Sequence, residues 1–355
     1  MRERIIIALL LPVLALAVAG CIADPAAPSA GPSVHALSGV IVVNEGVWRQ
    51  DNATLTLYDP GTGTAEQDYF THRNPALRLG DVANSITVGN GIAYVAVSTS
   101  QTVEILECAS GRSVGRVRLP DGNQPRAVTL VDSVTAYAAC FGDSIVRFNP
   151  RTMSVGPATA VGPAPESIVY ADSLLFVANS GYGFYRQQEP KAGTVGVLDP
   201  WTARELALIP VGPNPRLIRY APRIGMLYVL YGLADSVGGV VEVNPVTLRT
   251  MRRWPVVNTR DMAVDEQGGM IYVIGGDGVV RINLALDGGA PLTFLSASAL
   301  PGMAFYSIGA APGGDVYLGI TANYSAPGEV VVIARDGTIR QRFPAGINPG
   351  DFGFY

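Results

Sequence analysis

Short apolar runs recur along the chain at a nearly constant interval. Each is marked by an aromatic residue or an Ile: Ile41, Tyr94, Tyr137, Phe176, Tyr228, Tyr272 and Tyr317. The spacings are 53, 43, 39, 52, 44 and 45 residues. The runs are short, rich in β-branched and aromatic residues, and bounded by Gly, Asn and Asp, which predicts buried strands and not helices. A further strand-length segment follows and stops, in four repeats, at Asp59-Pro60, Asn149-Pro150, Asp199-Pro200 or Asn244-Pro245. Asp or Asn before Pro ends a strand because the side chain closes an Asx turn and the ring removes a ladder donor. A third marker, Gly-x-x-Pro, runs from Gly122 to Pro125, Gly162 to Pro165, Gly212 to Pro215 and Gly346 to Pro349.

Three markers at one period near 45 residues, with about four short strands per unit, predict an all-β fold: a seven-bladed β-propeller. The ends of the repeat array predict how the ring closes. The first unit lacks an inner strand, since only Leu37 to Val40 precede the run at Ile41. The last Gly-x-x-Pro is followed by Gly350-Asp351-Phe352-Gly353-Phe354-Tyr355. These residues supply the missing strand, so the C-terminal strand joins blade one and hides an edge open to other chains.

Ahead of the repeats, residues 1–20 read as a secretion signal, with Arg2 and Arg4 before the apolar stretch Ile5 to Leu16. Val18-Ala19-Gly20-Cys21 resembles a bacterial lipobox, in which Cys21 takes a diacylglycerol and becomes the acylated N-terminus. The alternative is an ordinary signal peptide followed by an unmodified Cys. Residues 21–38 are rich in Ala, Pro and Ser and read as a flexible tether. Residues 39–355 form the propeller. Lipid anchoring would place the protein at the outer membrane or cell surface.

Removing the signal leaves 23 basic against 28 acidic residues, a net charge of −5. A generic nucleic-acid binder, which carries a basic face, is excluded. Only His35 and His72 occur, which argues against a His-based triad or metal cluster. No Asp-x-Asp-x-Asp loop supports calcium, and no cofactor motif is present. Cys108 and Cys140 fall at opposite ends of strands in neighbouring blades and are expected as free, buried thiols.

Candidate chemistry gathers in the loops after the second strand of each blade. Those of blades one, four, five and seven are long and hold Trp48, Tyr182, Phe184, Tyr185, Tyr231 and Tyr324 with Arg49 and Arg186. Rigid aromatics beside Arg are favoured at binding surfaces; alternatively these rings pack their own loops. A second set, Asp81, Arg126, Glu166, Arg216, Arg260, Asp261 and Asp351, sits where the inner strands start, around the expected pore entrance. Such a mixed ring either pairs with itself and plugs the channel or meets amide and phosphate groups of a ligand.

Several segments resemble the YVTN-type surface propellers of Bacteroidetes-like bacteria. They include Val42-Val43-Asn44-Glu45-Gly46, Leu79-Gly80-Asp81-Val82-Ala83-Asn84, Tyr94-Val95-Ala96-Val97 and Phe176-Val177-Ala178-Asn179. The resemblance spans the mature chain. It implies a lipid-anchored, non-enzymatic protein that captures a corrinoid (vitamin B12 or a relative) for a TonB-dependent outer-membrane transporter. Other expectations remain open: a surface propeller that recognises a protein or the cell wall, and a lactonase-type enzyme.

Overall fold

The structure is a computed structural model and describes residues 37–355. The signal segment, Cys21 and nearly all of the tether lie outside the described residues. Seven four-stranded antiparallel sheets follow one another around a ring. The inner strands of blades two to seven are Ala83–Gly89, Pro125–Leu130, Pro165–Ala171, Leu217–Ala221, Met262–Asp265 and Ala304–Ala310. Blade one takes its inner strand, Pro349–Phe354, from the C-terminus. That strand pairs with Val40–Asn44, setting Val42 opposite Phe352 and Ile41 opposite Gly353. The expected propeller and its closure are both present.

The second strand of every blade is buried on both faces, which is why it reads as an unbroken apolar run. In blade one, Ile41 and Val43 face the core shared with blade two, while Val40 and Val42 face the core shared with blade seven. The same split repeats at Tyr228 and Leu230 against Leu227 and Val229. The hydrophobic core is therefore seven separate layers, one in each seam between blades. Each marker residue points into the seam with the following blade: Tyr94 towards blade three, Phe176 towards blade five, Tyr317 towards blade one. Large flat rings at these points fill the wedge that opens between sheets as they diverge. Burying each contributes about 1.5–3 kcal/mol relative to exposure.

The Asx turns form as expected. Asp59, Asn149, Asp199 and Asn244 each accept a backbone N–H from two residues ahead, at 2.8, 2.8, 2.9 and 3.0 Å. His72 lies on a short helix, Tyr69–Arg73, that the periodicity did not predict. The helix plugs the outside of the seam between blades one and two with Tyr69 and Phe70, and the Tyr69 hydroxyl donates to the Cys108 carbonyl at 2.9 Å. Cys108 and Cys140 are free and buried. Burial pushes their thiols up to about 11 and about 12, so neither is a nucleophile at neutral pH.

Ring closure rests on aromatic packing as well as on the ladder. Phe352 and Phe354 lie 6.1 and 5.4 Å from the Tyr317 ring of blade seven. Deleting Gly350–Tyr355 should remove these contacts, break the closing ladder and bare the edge of Val40–Asn44. A loss above about 5 kcal/mol, or about 10 °C in melting temperature, is expected. A truncated chain that melts with the intact one in differential scanning calorimetry would refute closure. In the seam of blades four and five, Phe176→Ala should cost about 3–5 kcal/mol in chemical denaturation.

Candidate functional site

The pairing register slips at one place in the inner strands: at Gly350, Asn84, Arg126, Glu166 and Tyr306 the ladder skips a residue. A skipped residue has no cross-strand partner and is re-aimed. The corresponding residues of blades five and six are Arg216 and Arg260, just before their strands begin. All seven line one channel on the ring axis, of about 450 Å³. Six of these positions carry side chains. The seventh is Gly350, and Glu45, from the loop after the second strand of blade one, fills its place. A Cβ on Gly350 would lie 2.7 Å from the Glu45 carboxylate.

Sequence reasoning placed Arg126, Glu166, Arg216, Arg260, Asp261 and Asp351 here, and all six line the channel. Asp81 does not. The left-handed backbone residue before blade two is Val82, at φ 56°, so the register puts Asn84 at the channel. Asp81 stays in the loop and accepts the Arg49 backbone N–H on both oxygens, at 3.1 and 3.0 Å. Glu45, Arg219 and Tyr306 were not anticipated. Glu45 sits within the Asn44-Glu45-Gly46 segment, and Arg219 is a lone charge within the apolar stretch Leu217 to Tyr220. Both are sequence signals, but neither reveals a reach across blades.

Much of the channel chemistry is spent joining blades. Each inner strand pairs along one edge only, so its other edge offers unpaired backbone groups to the axis. Side chains of adjacent blades take them up. Asp351 accepts from Ile86 N–H at 3.0 Å, and Asp261 from Ile308 N–H at 2.8 Å. Ser167 and Thr129 hydroxyls accept from Ile218 and Tyr170 N–H at 3.1 and 3.0 Å. The Thr87 and Ser307 hydroxyls donate to the carbonyls of Val128 and Pro349. Arg216 and Arg260 donate to the carbonyls of Thr259 and Tyr306. Every seam carries at least one such link.

Charges in the channel are mixed. Arg219 reaches across from blade five to Asp351 at 3.6 Å, and Arg126 lies 3.9 Å from Glu166. Burial raises the Asp261 carboxyl to about 6 and also raises Asp351, in each case against the opposing pull of Arg219. Burial raises Glu45 too, opposed by the hydroxyl of Tyr306, which donates to it at 2.6 Å. Among the described residues, no group of three or more His, Cys, Asp or Glu is arranged to hold a metal ion.

A groove of about 580 Å³ adjoins the channel across the loops of blades four to seven. Phe184 and Tyr185 stand on one side and Tyr324 on the other. Tyr185 is 80% exposed and stacks on Tyr182, which is itself braced edge-on by Phe141 at 4.8 Å. Tyr182 thus supports and Tyr185 presents. Arg186 is committed to holding this loop: its guanidinium forks onto Asp143 at 2.8 and 2.7 Å and also reaches Glu189 at 2.6 Å. Tyr231 packs against the core between blades four and five, with Arg253 over its ring. Trp48 is exposed under the Arg49 guanidinium at 4.1 Å, and neither residue lines the channel or the groove.

No family model matches the chain, and no curated protein sequence matches it. Solved structures share its fold. A quinonprotein alcohol dehydrogenase-like protein from Bacteroides thetaiotaomicron superposes with a TM-score of 0.70 at 16% identity, covering 89% of this chain and 78% of that one. A hydrazine synthase chain from Kuenenia stuttgartiensis superposes with a TM-score of 0.65 at 16% identity, covering 76% and 88%. Likeness at this identity establishes the propeller architecture.

Two outcomes test the channel. The Asp261 carboxyl carbon should titrate in NMR with a midpoint near 6. Because its folded value is raised, Asp261 adds stability that is complete below the unfolded carboxyl range and is lost as pH rises through about 6. Asp261→Asn lacks that slope, so its deficit relative to wild type should shrink between about pH 4.5 and about pH 7. A constant deficit would mean that Asp261 is already ionised at the lower pH. Gly350→Ala should displace Glu45 from Tyr306 and cost about 1–3 kcal/mol.

Proposed function

We propose that this protein is a non-enzymatic binding propeller that captures a ligand at the channel mouth. The observation that carries the reading is the groove walled by Phe184, Tyr185 and Tyr324, which runs onto the arginine-lined channel. Its size and mix of aromatic walls with a few polar groups suit a flat ligand held partly in the open. A corrinoid fits that description, with a broad ring for the aromatic walls and amide arms for the channel donors. The chain's resemblance to corrinoid-capturing surface propellers favours the same ligand. Lipidation at Cys21, a cell-surface location and delivery to a TonB-dependent transporter follow from that reading and belong to the proposal.

Capture without chemistry is favoured by how the channel acids are held. Both oxygens of Asp261 and of Asp351 accept backbone N–H groups, an arrangement suited to joining strands and not to shuttling protons. A second reading, recognition of a surface protein, draws on the Trp48 and Arg49 pair. It is exposed, stacked and set apart from the groove, and it is made of residue types favoured at interfaces.

Isothermal titration of the full chain in detergent with cyanocobalamin and cobinamide tests the first reading. One-to-one binding is expected, weakened about tenfold by Tyr185→Ala and left intact by Trp48→Ala, with neither variant melting earlier. No heat and no thermal shift with either corrinoid would remove the corrinoid assignment.

A further inference from the structure

Channel and groove share two lining side chains, Arg216 and Arg260. They occupy the corresponding positions of adjacent blades, just before the inner strands begin, and both lie where the two spaces meet. Two other channel arginines each have a carboxylate within 4.0 Å: Arg126 has Glu166 at 3.9 Å, and Arg219 has Asp351 at 3.6 Å. Among the described residues, no carboxylate oxygen comes within 4.0 Å of either Arg216 or Arg260. Glu166 and Asp261 act on Arg216, and Glu45 is within electrostatic range of Arg260, but only at longer distance.

The hydrogen bonding of this pair is incomplete. Arg216 Nη2 donates to the Thr259 carbonyl, while its Nε is buried with no acceptor. Arg260 donates through Nε to the Tyr306 carbonyl at 2.8 Å. Its guanidinium lies 4.3 Å from the Tyr306 ring centroid and 6.0 Å from that of Tyr324. The two cations are thus fixed by carbonyls and rings, neither of which cancels charge. A desolvated guanidinium beside another is unfavourable unless an anion lies between them.

We infer that Arg216 and Arg260 form an oxyanion seat, taking a phosphate or carboxylate group of the captured ligand while the ligand's flat body rests in the groove. The inference deepens the ligand-capture reading and rests on it. The ligand class it names is a planar amphiphile with an anionic substituent. The guanidinium N–H groups that the Thr259 and Tyr306 carbonyls leave free can donate to either oxyanion.

The test uses the full chain in detergent with inorganic phosphate as probe, at about 0.15 M chloride to screen surface charge. Binding is followed by broadening of the phosphorus NMR line, with acetate as competitor. Saturable phosphate binding is expected, weakened at least tenfold in both Arg216→Gln and Arg260→Gln and unchanged in the exposed-site control Arg249→Gln. Arg216→Lys should recover part of the affinity by restoring charge without the fork. Acetate displacing phosphate assigns the seat to carboxylates, and acetate failing to do so assigns it to phosphates; either result supports the seat. No saturable binding of phosphate or acetate overturns it, as does an equal loss in the control. Melting temperatures without phosphate separate misfolding from lost binding. Should Arg216→Gln fail to fold, Arg260→Gln alone decides. Cyanocobalamin is titrated in parallel. Corrinoid binding without a phosphate response defeats the seat and leaves ligand capture standing; the reverse removes the corrinoid and keeps the seat.

Discussion

The constraint behind the whole structure is the unpaired inner edge of each sheet. Seven sheets arranged around an axis cannot join their inner strands into a common ladder, because the strands diverge. Backbone donors and acceptors at the axis would go unsatisfied, at a cost of about 1–3 kcal/mol for each buried group. Side chains from neighbouring blades meet that need, and the links run through every seam from Asp351 and Ile86 around to Ser307 and Pro349. The apolar layers hold the blades face to face, while these polar links set how they meet at the centre.

That duty explains why a channel so rich in charge has so few free groups. Asp261, Asp351, Ser167 and Thr87 are occupied by backbone partners, and Arg126 and Arg219 by carboxylates. Charge without a close carboxylate is concentrated at Arg216 and Arg260, beside the aromatic groove. The loop of blade four shows the same economy: Arg186 and Tyr182 brace it so that Tyr185 and Phe184 stand out.

The fold was largely legible in the sequence because its determinants are local and repeated. A marker such as Phe176 or Tyr272 is buried at the same point of each unit, and an Asx-Pro turn needs only its own residues. Closure was legible for a related reason, since a missing strand at one end matched a spare strand at the other. The channel was legible where a Gly-x-x-Pro turn announced the register, as for Arg126, Glu166, Arg216 and Asp351, and at Arg260 and Asp261 after Asn258-Thr259. In blade two that turn is absent. Asp81 then appears equivalent to Arg126, although the left-handed Val82 gives the place to Asn84. Glu45 and Tyr306 escaped notice because their meeting depends on blades one and seven lying side by side, and on the space left at Gly350. The exposed loop rings were recognised as a set, but which of them face the groove depends on side-chain packing that spacing does not encode.

The shared blade also bears on mechanics. The strand Val40–Asn44 is flanked on one side by Thr54–Asp59 and on the other by the C-terminal strand. Ser38 and Gly39 N–H groups both donate to the Tyr355 carbonyl at the entry point. A pulling force that enters at Leu37 therefore meets a strand in the interior of its sheet. To extract it, the force must shear two ladders together instead of peeling one edge open bond by bond, so blade one is the blade best built to bear load from the N-terminal side.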